Sequence, residues 1–210
     1  TRQNPMLRYL MVLTISSAIG LQAWRTLFDN FAVRVVGLNG DHVGIIQSVR
    51  EISGLLVLIA VVVILFIKEH RLSALSVLIL GIGVATTGLF PSFGGLLITT
   101  LIMSFGFHYY ETTNMSLTLQ YFKANESPWV FGKLRSLSAA YNIGIGVFVY
   151  LFAPILDFMQ IYLLIGAMMG VGCAAGGLWF SATIPWAWKP PWPTSSRRAG
   201  TSGWRSRGST

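Results

Sequence analysis

Six ionisable side chains lie well inside long apolar segments, where such a group is costly and usually faces a cavity or a partner. They come in three pairs along the chain: Arg25 and Asp29, Arg50 and Glu51, and His108 and Glu111. Arg25 lies roughly 27 Å along its segment at 1.5 Å per residue, whereas Arg50 lies near the start of the next segment. Because consecutive segments enter the membrane from opposite sides, the first two pairs lie in the same, outer half of the membrane and form an outer set. Pairing across helices, Asp29 with Arg50 or Arg25 with Glu51, is the expected chemistry of this set. Ion pairs that only hold helices together are the alternative.

The third pair belongs to a deeper, inner set that also contains two amides. Glu111 and Asn114 share one helix face, and His108 lies one turn before Glu111. Asn142, in the next apolar segment, is expected at a comparable depth. A carboxylate with a histidine one turn away is typical of a proton relay or a substrate contact. We therefore predict a substrate or proton pathway through both sets, with Glu111 as the proton-coupling residue.

The elements that must position these residues are six apolar spans separated by short polar breaks. The chain is 53% hydrophobic and 10% charged, whereas a soluble domain carries about 25% charged residues. Each span is long enough to cross a hydrocarbon core of about 30 Å. They run approximately over Leu7–Val36, Val43–Ile67, Leu72–Phe90, Leu96–Gln120, Ser136–Leu156 and Ile161–Phe180. No period-2 alternation indicates strands, so the sequence predicts an all-α membrane protein, a bundle of six transmembrane helices.

Basic residues alternate along the breaks and set the orientation. They precede span one, lie between spans two and three and between spans four and five, and follow span six, while the three alternate breaks hold none. The positive-inside rule then predicts that both termini are cytoplasmic. We expect a multi-pass protein of a bacterial inner membrane. Its net charge of +8 would face the lipid bilayer and not nucleic acid.

Spans three and six contain no charged residue, which suggests a polar interior with these two helices outside it. Close helix contact is expected at small residues in spans three, five and six: Gly81, Gly83, Ala85, Gly88, Gly144, Gly146, Gly166, Gly170, Gly172 and Gly176. Enzymatic motifs are missing from the sequence, and His108 is the one histidine at membrane depth. The sequence therefore predicts neither an enzyme nor a metal site nor a cofactor.

The tail Ser181–Thr210 differs from everything before it. It is rich in Pro, Trp, Ser, Gly and Arg and contains no acidic residue. It is expected to be disordered, although its tryptophans could anchor it at the membrane interface. A third interpretation is translation out of frame from a gene that should encode further spans.

Several short motifs resemble the N-terminal half of a major facilitator superfamily transporter. They are Gly20-Leu21-Gln22-Ala23-Trp24-Arg25 and Phe28-Asp29-Asn30 in span one, Gly44-Ile45-Ile46-Gln47-Ser48 opening span two, Lys68 and Arg71 in the following turn, and Phe131-Gly132-Lys133-Leu134-Arg135-Ser136 before span five. The resemblance implies that helices one, two, four and five line a central cavity, with three and six outside. It also implies a cytoplasmic gate at Lys68, Arg71 and Arg135.

What the resemblance implies for function is a secondary-active carrier of a small solute, with this chain as one half. Such a carrier works by rocking one half against a second half around a central site. Two alternatives stay open: a truncated or frameshifted six-span remnant that transports nothing, and a carrier made of two copies of this chain.

Overall fold

The computed structural model describes residues 4–55 and 67–183, with side chains described as far as residue 176. This part of the chain folds into six α-helices and contains no strand, which confirms the all-α prediction. The helices are α1 (Pro5–Arg34), α2 (Gly40–Leu55), α3 (Glu69–Thr87), α4 (Phe93–Tyr121), α5 (Ser127–Phe152) and α6 (Phe158–Thr183).

Four helices are long and apolar enough to cross a membrane, which supports the prediction of a membrane protein. They are Pro5–Arg34, Glu69–Thr87, Ser127–Phe152 and Phe158–Gly176. Helix α4 has 29 residues and is not among these four; its second half carries His108, Glu111 and Asn114. The second half of predicted span two, and the predicted tail beyond Thr183, lie outside the described residues.

Helix boundaries follow local chemistry more closely than hydropathy. The Asn4 side chain accepts a hydrogen bond from Met6 N, with Pro5 in the first turn of α1. Helix α5 begins at Ser127 and not near Ser136, because Pro128 sits in its first turn, where a missing N–H costs nothing. The polar stretch that the sequence suggests as a connection is thus partly helical, and Arg135 lies two turns inside a helix.

Helix α1 is the centre of the bundle. It packs against α3, α5 and α6, while α4 lies between α2 and α3. Trp24 and Phe28 of α1 are buried and stack with ring centroids 4.3 Å apart. This arrangement leaves α1, α4 and α5 around a common space, and places α6 against α1 and α3 on the other side.

Glycines allow the closest helix contacts, as predicted for span three. A Cβ added to Gly83 would lie 2.6 Å from Met103 Cα, and one added to Gly106 would lie 2.6 Å from Ser76 O. Helices α3 and α4 therefore meet backbone to backbone. The prediction fails for Gly144 and Gly146 of α5 and for Gly170 of α6, where an added Cβ would meet none of the described residues within 4 Å.

Candidate solute cavity

A partly open cavity of about 320 Å³ lies between α1, α4 and α5. Six of its lining side chains are charged or amide-bearing: Gln22, Arg25, Glu111, Asn114, Arg135 and Asn142. Helices α3 and α6 contribute no lining residue, and neither does the described part of α2. Three of the four spans that carry polar residues therefore share one cavity, at the lower end of the volume range typical of small-molecule sites.

The sequence suggests that Glu111 is an isolated carboxylate, but in the structure it has a partner. Its Oε1 atom lies 3.8 Å from Arg135 Nη2, across the gap between α4 and α5. Their side chains are 45% and 82% exposed, respectively, so this is a loose pair in an open space. The early start of α5 explains the difference, because it brings Arg135 onto the cavity wall. The structure places Arg135 beside Glu111, not with Lys68 and Arg71 in a separate gate.

Arg25 lines the same cavity from α1. Its guanidinium interacts electrostatically with Glu111, Glu51 and Arg50. No ion pair within 4 Å involves Arg25 among the described residues. The predicted separation of Arg25 from the inner set is therefore wrong, because Arg25 and Glu111 line one cavity.

A hydrogen bond that residue spacing did not predict joins α1 and α4 at the cavity wall. Thr14 Oγ1 and Tyr110 OH lie 2.9 Å apart, and both side chains are buried. Next to this pair, the Oδ1 atom of Asn114 is buried and accepts no hydrogen bond from any residue that the structure describes. The cavity wall thus combines a satisfied polar contact with an unsatisfied acceptor.

Arg50 and Glu51 pair with each other and not across helices. Arg50 Nε donates to Glu51 Oε1 at 3.0 Å, and the Arg50 guanidinium lies 5.7 Å from the centroid of the Trp24 ring. Ser104 Oγ of α4 donates to Arg50 O at 2.8 Å, which fastens α2 to α4. The predicted pairs Asp29–Arg50 and Arg25–Glu51 are absent from the described residues, and Asp29 is exposed.

His108 and Glu111 are not brought into one site. The His108 imidazole lies against α2, where a Cβ added to Gly54 would be 3.2 Å from its Cε1 atom. His108 does not line the cavity that contains Glu111. The predicted proton relay between these two residues is therefore not assembled in this conformation. Asn114 and Asn142, by contrast, share the cavity with Glu111.

Lys68 and Arg71, the other predicted gate residues, are exposed at the start of α3. Between them, Glu69 makes the contact that sequence reasoning missed. Gln120 Nε2 of α4 lies 2.8 Å from both Glu69 carboxylate oxygens, and Ser116 Oγ donates to Oε2 at 3.2 Å. An acid in the first turn of a helix is favoured there by the helix dipole, which was the available signal for Glu69.

No family model matches the chain, and no curated protein or solved structure matches it either. Among the described residues, no group of three or more His, Cys, Asp or Glu side chains could hold a metal ion.

Proposed function

We propose that this chain is one six-helix half of a secondary-active, alternating-access carrier similar to the major facilitator superfamily. It would move a small solute through the cavity between α1, α4 and α5. It would do so in a bacterial inner membrane, crossing it six times with both termini in the cytoplasm.

The observation that carries this proposal is the charge content of the cavity. Arg25, Glu111 and Arg135 line one space between helices of which α1 and α5 are apolar enough to cross a membrane. Ionisable groups at membrane depth face water-filled cavities or partners and commonly mark substrate or ion pathways.

The second half of the carrier would face the open side of the cavity. Helix α5 is the most exposed of the four apolar helices, with only 17% of its apolar window buried. Its exposed residues include Ile143 at 71% and Tyr150 at 79%. We propose that a second six-helix unit, either a further domain or another copy of this chain, packs on this side.

Glu111 is the proposed proton-coupling residue. Its partner Arg135 is 3.8 Å away and largely exposed, so the pair separates at little cost. Protonation of Glu111 would release Arg135 and change the charge that the cavity presents to the solute. The cavity would then bind the solute with a different affinity in each protonation state of Glu111, and this difference links the movement of the proton to that of the solute.

The test is reconstitution of the full chain into liposomes that contain a trapped pH-sensitive dye. A sugar, a neutral amino acid, an organic cation and an organic acid are supplied in turn, and the internal pH is followed. We expect one of these classes to drive proton movement through the wild-type chain, and Glu111→Gln to abolish it. Asp157→Asn, which removes an exposed acid outside the cavity, is the matched control and should behave as wild type.

Two results would overturn the proposal. One is a wild-type chain that moves protons with none of the four classes, which rejects a carrier built from this chain or from copies of it and favours the remnant. The other is Glu111→Gln transport equal to wild type, which removes Glu111 as the coupling residue.

A further inference from the structure

One side of α3 carries two cations at its beginning and exposed apolar side chains along the helix that follows. We infer that this side of α3 binds a phospholipid with an anionic headgroup, with its phosphate at Lys68 and Arg71 and an acyl chain along the helix. The inference goes beyond the proposed function. It needs α3 to cross a membrane, for which this helix is long and apolar enough, and it does not need the cavity to carry a solute.

The exposed side chains of α3 form a continuous stripe. They are Arg71, Leu75, Leu78 and Ile82. Their spacing of four, three and four residues places them on one face of a helix. The three apolar members are between 41% and 48% exposed. On the side of α3 that packs within the bundle, by contrast, Leu72, Ser76 and Leu80 are buried.

The cations at the beginning of the stripe have no acidic partner in the part of the chain that the structure describes. Lys68 and Arg71 are exposed, and neither takes part in an ion pair within 4 Å among these residues. Glu69 stands between them in the sequence, but its carboxylate accepts hydrogen bonds from Ser116 and Gln120 of α4. The beginning of the stripe is therefore positively charged, and a phosphate group complements it.

The length of the stripe fits one leaflet of a bilayer. Arg71 and Ile82 are eleven residues apart, which is roughly 16 Å along a helix at 1.5 Å per residue. Half of a hydrocarbon core is about 15 Å thick. A phospholipid whose phosphate contacts Arg71 therefore has an acyl chain of the right length to lie beside the whole apolar part of the stripe.

The charge of the headgroup decides which phospholipid is preferred. Phosphatidylcholine brings a cation together with its phosphate, so it compensates the charge of Lys68 and Arg71 less than phosphatidylglycerol does. The other end of α3 offers no such contact, because the residues Gly88–Ser92 that follow it carry no charge. We therefore expect a preference for the anionic lipid only at the end of α3 where Lys68 and Arg71 lie.

The experiment measures which lipid lies beside Leu78, in the middle of the stripe. Leu78→Cys in a Cys173→Ser background is labelled with a fluorophore, and the full chain is reconstituted into equimolar phosphatidylglycerol and phosphatidylcholine. One lipid at a time has brominated acyl chains, which quench a fluorophore that they contact. We expect phosphatidylglycerol to quench more strongly. Arg71→Gln should lower its relative affinity about fivefold, the effect of one cation beside an anionic headgroup, and adding Lys68→Gln should abolish the preference.

Two further variants separate this site from general surface charge and from misfolding. Lys133→Gln removes an exposed cation from α5 and is the matched control, with the preference of the wild type. Arg71→Lys keeps the charge and should also keep the preference, which a merely structural role of Arg71 would not explain.

Equal quenching by the two lipids in the wild-type chain would overturn the inference. So would an Arg71→Gln chain with the wild-type preference, or a loss in Lys133→Gln as large as that in Arg71→Gln. The lipid site and the carrier fail separately. A lipid preference that depends on Arg71, in a chain that moves no protons, would support the lipid site and reject the carrier.

Discussion

The two sides of α4 show how one helix serves two purposes. On one side, Gly106 lets α4 approach α3 so closely that an added Cβ would lie 2.6 Å from Ser76 O. On the other side, Glu111 and Asn114 face an open cavity that α1 and α5 complete. The first side is fixed by backbone contact, whereas the second is held by a few polar contacts.

This difference shows where a moving part can lie. Interfaces with small residues and close backbones tolerate little displacement. The loose pair of Glu111 with Arg135, at 3.8 Å, tolerates much more. We therefore expect α3 and α4 to move as one body and α5 to shift relative to them. The predictions below test each side of α4 in turn.

The largest effect is expected at the α3–α4 contact. Gly106→Ala should lower the stability of the folded chain by about 1–3 kcal/mol, because the added methyl group overpacks a tight contact. Gly146→Ala is the matched control, since an added Cβ there meets nothing within 4 Å. Thermal melting of both variants in detergent measures the difference. Equal melting temperatures would show that this side of α4 is not close-packed.

A smaller effect is expected where α1 meets α4 at the cavity wall. Thr14→Val removes the partner of the buried Tyr110 hydroxyl and should cost about 1 kcal/mol. Thr112→Val serves as control, because the Thr112 hydroxyl bonds only to His108 O of its own helix. The same melting experiment applies. A Thr112→Val loss as large as that of Thr14→Val would contradict a specific contact between the helices.

The smallest effect is expected from the cavity ion pair. A double-mutant cycle with Glu111→Gln and Arg135→Gln should give a coupling of less than about 1 kcal/mol, because both side chains are exposed and screened. The cycle on Arg50 and Glu51 should give a larger coupling, since Arg50 is only 23% exposed and its Nε donates at 3.0 Å. The reverse order would show that the pair of Glu111 with Arg135 is not the looser one.

Hydropathy was enough to predict the helices, because long apolar runs in this chain have few other solutions. It failed at the start of α5, because the helix begins at Ser127, with Pro128 in its first turn, whereas the predicted span begins at Ser136. Because α5 begins nine residues earlier than predicted, Arg135 lies on the wall of the cavity and not in the predicted cytoplasmic gate. The prediction of close helix contact at small residues is confirmed at Gly83, whose added Cβ would overlap α4.

The partners of the charged residues could not be predicted from spacing. Arg50 could reach Asp29 only across the gap between α2 and α1, whereas the carboxylate of Glu51 is next to it on the same helix and accepts its hydrogen bond. Similarly, helical spacing places His108 and Glu111 one turn apart, but His108 packs against α2 whereas Glu111 lines the cavity. Which neighbour a face meets depends on how the helices are arranged, and single-helix periodicity contains no such information.

The central claim is that one side of α4 faces water and the other faces protein, and two methionines with one control residue test it directly. Met115 lines the cavity and is 52% exposed, whereas Met103 is fully buried near Gly83. Ile98, which is exposed but lies outside the cavity, is the control for exposure alone. Each is changed to Cys in a Cys173→Ser background, and membranes are treated on both faces with a charged thiol reagent. We predict that Met115→Cys reacts at least about tenfold faster than Met103→Cys and Ile98→Cys, because the reactive thiolate forms in water. Equal rates at Met115 and Met103 would contradict the account.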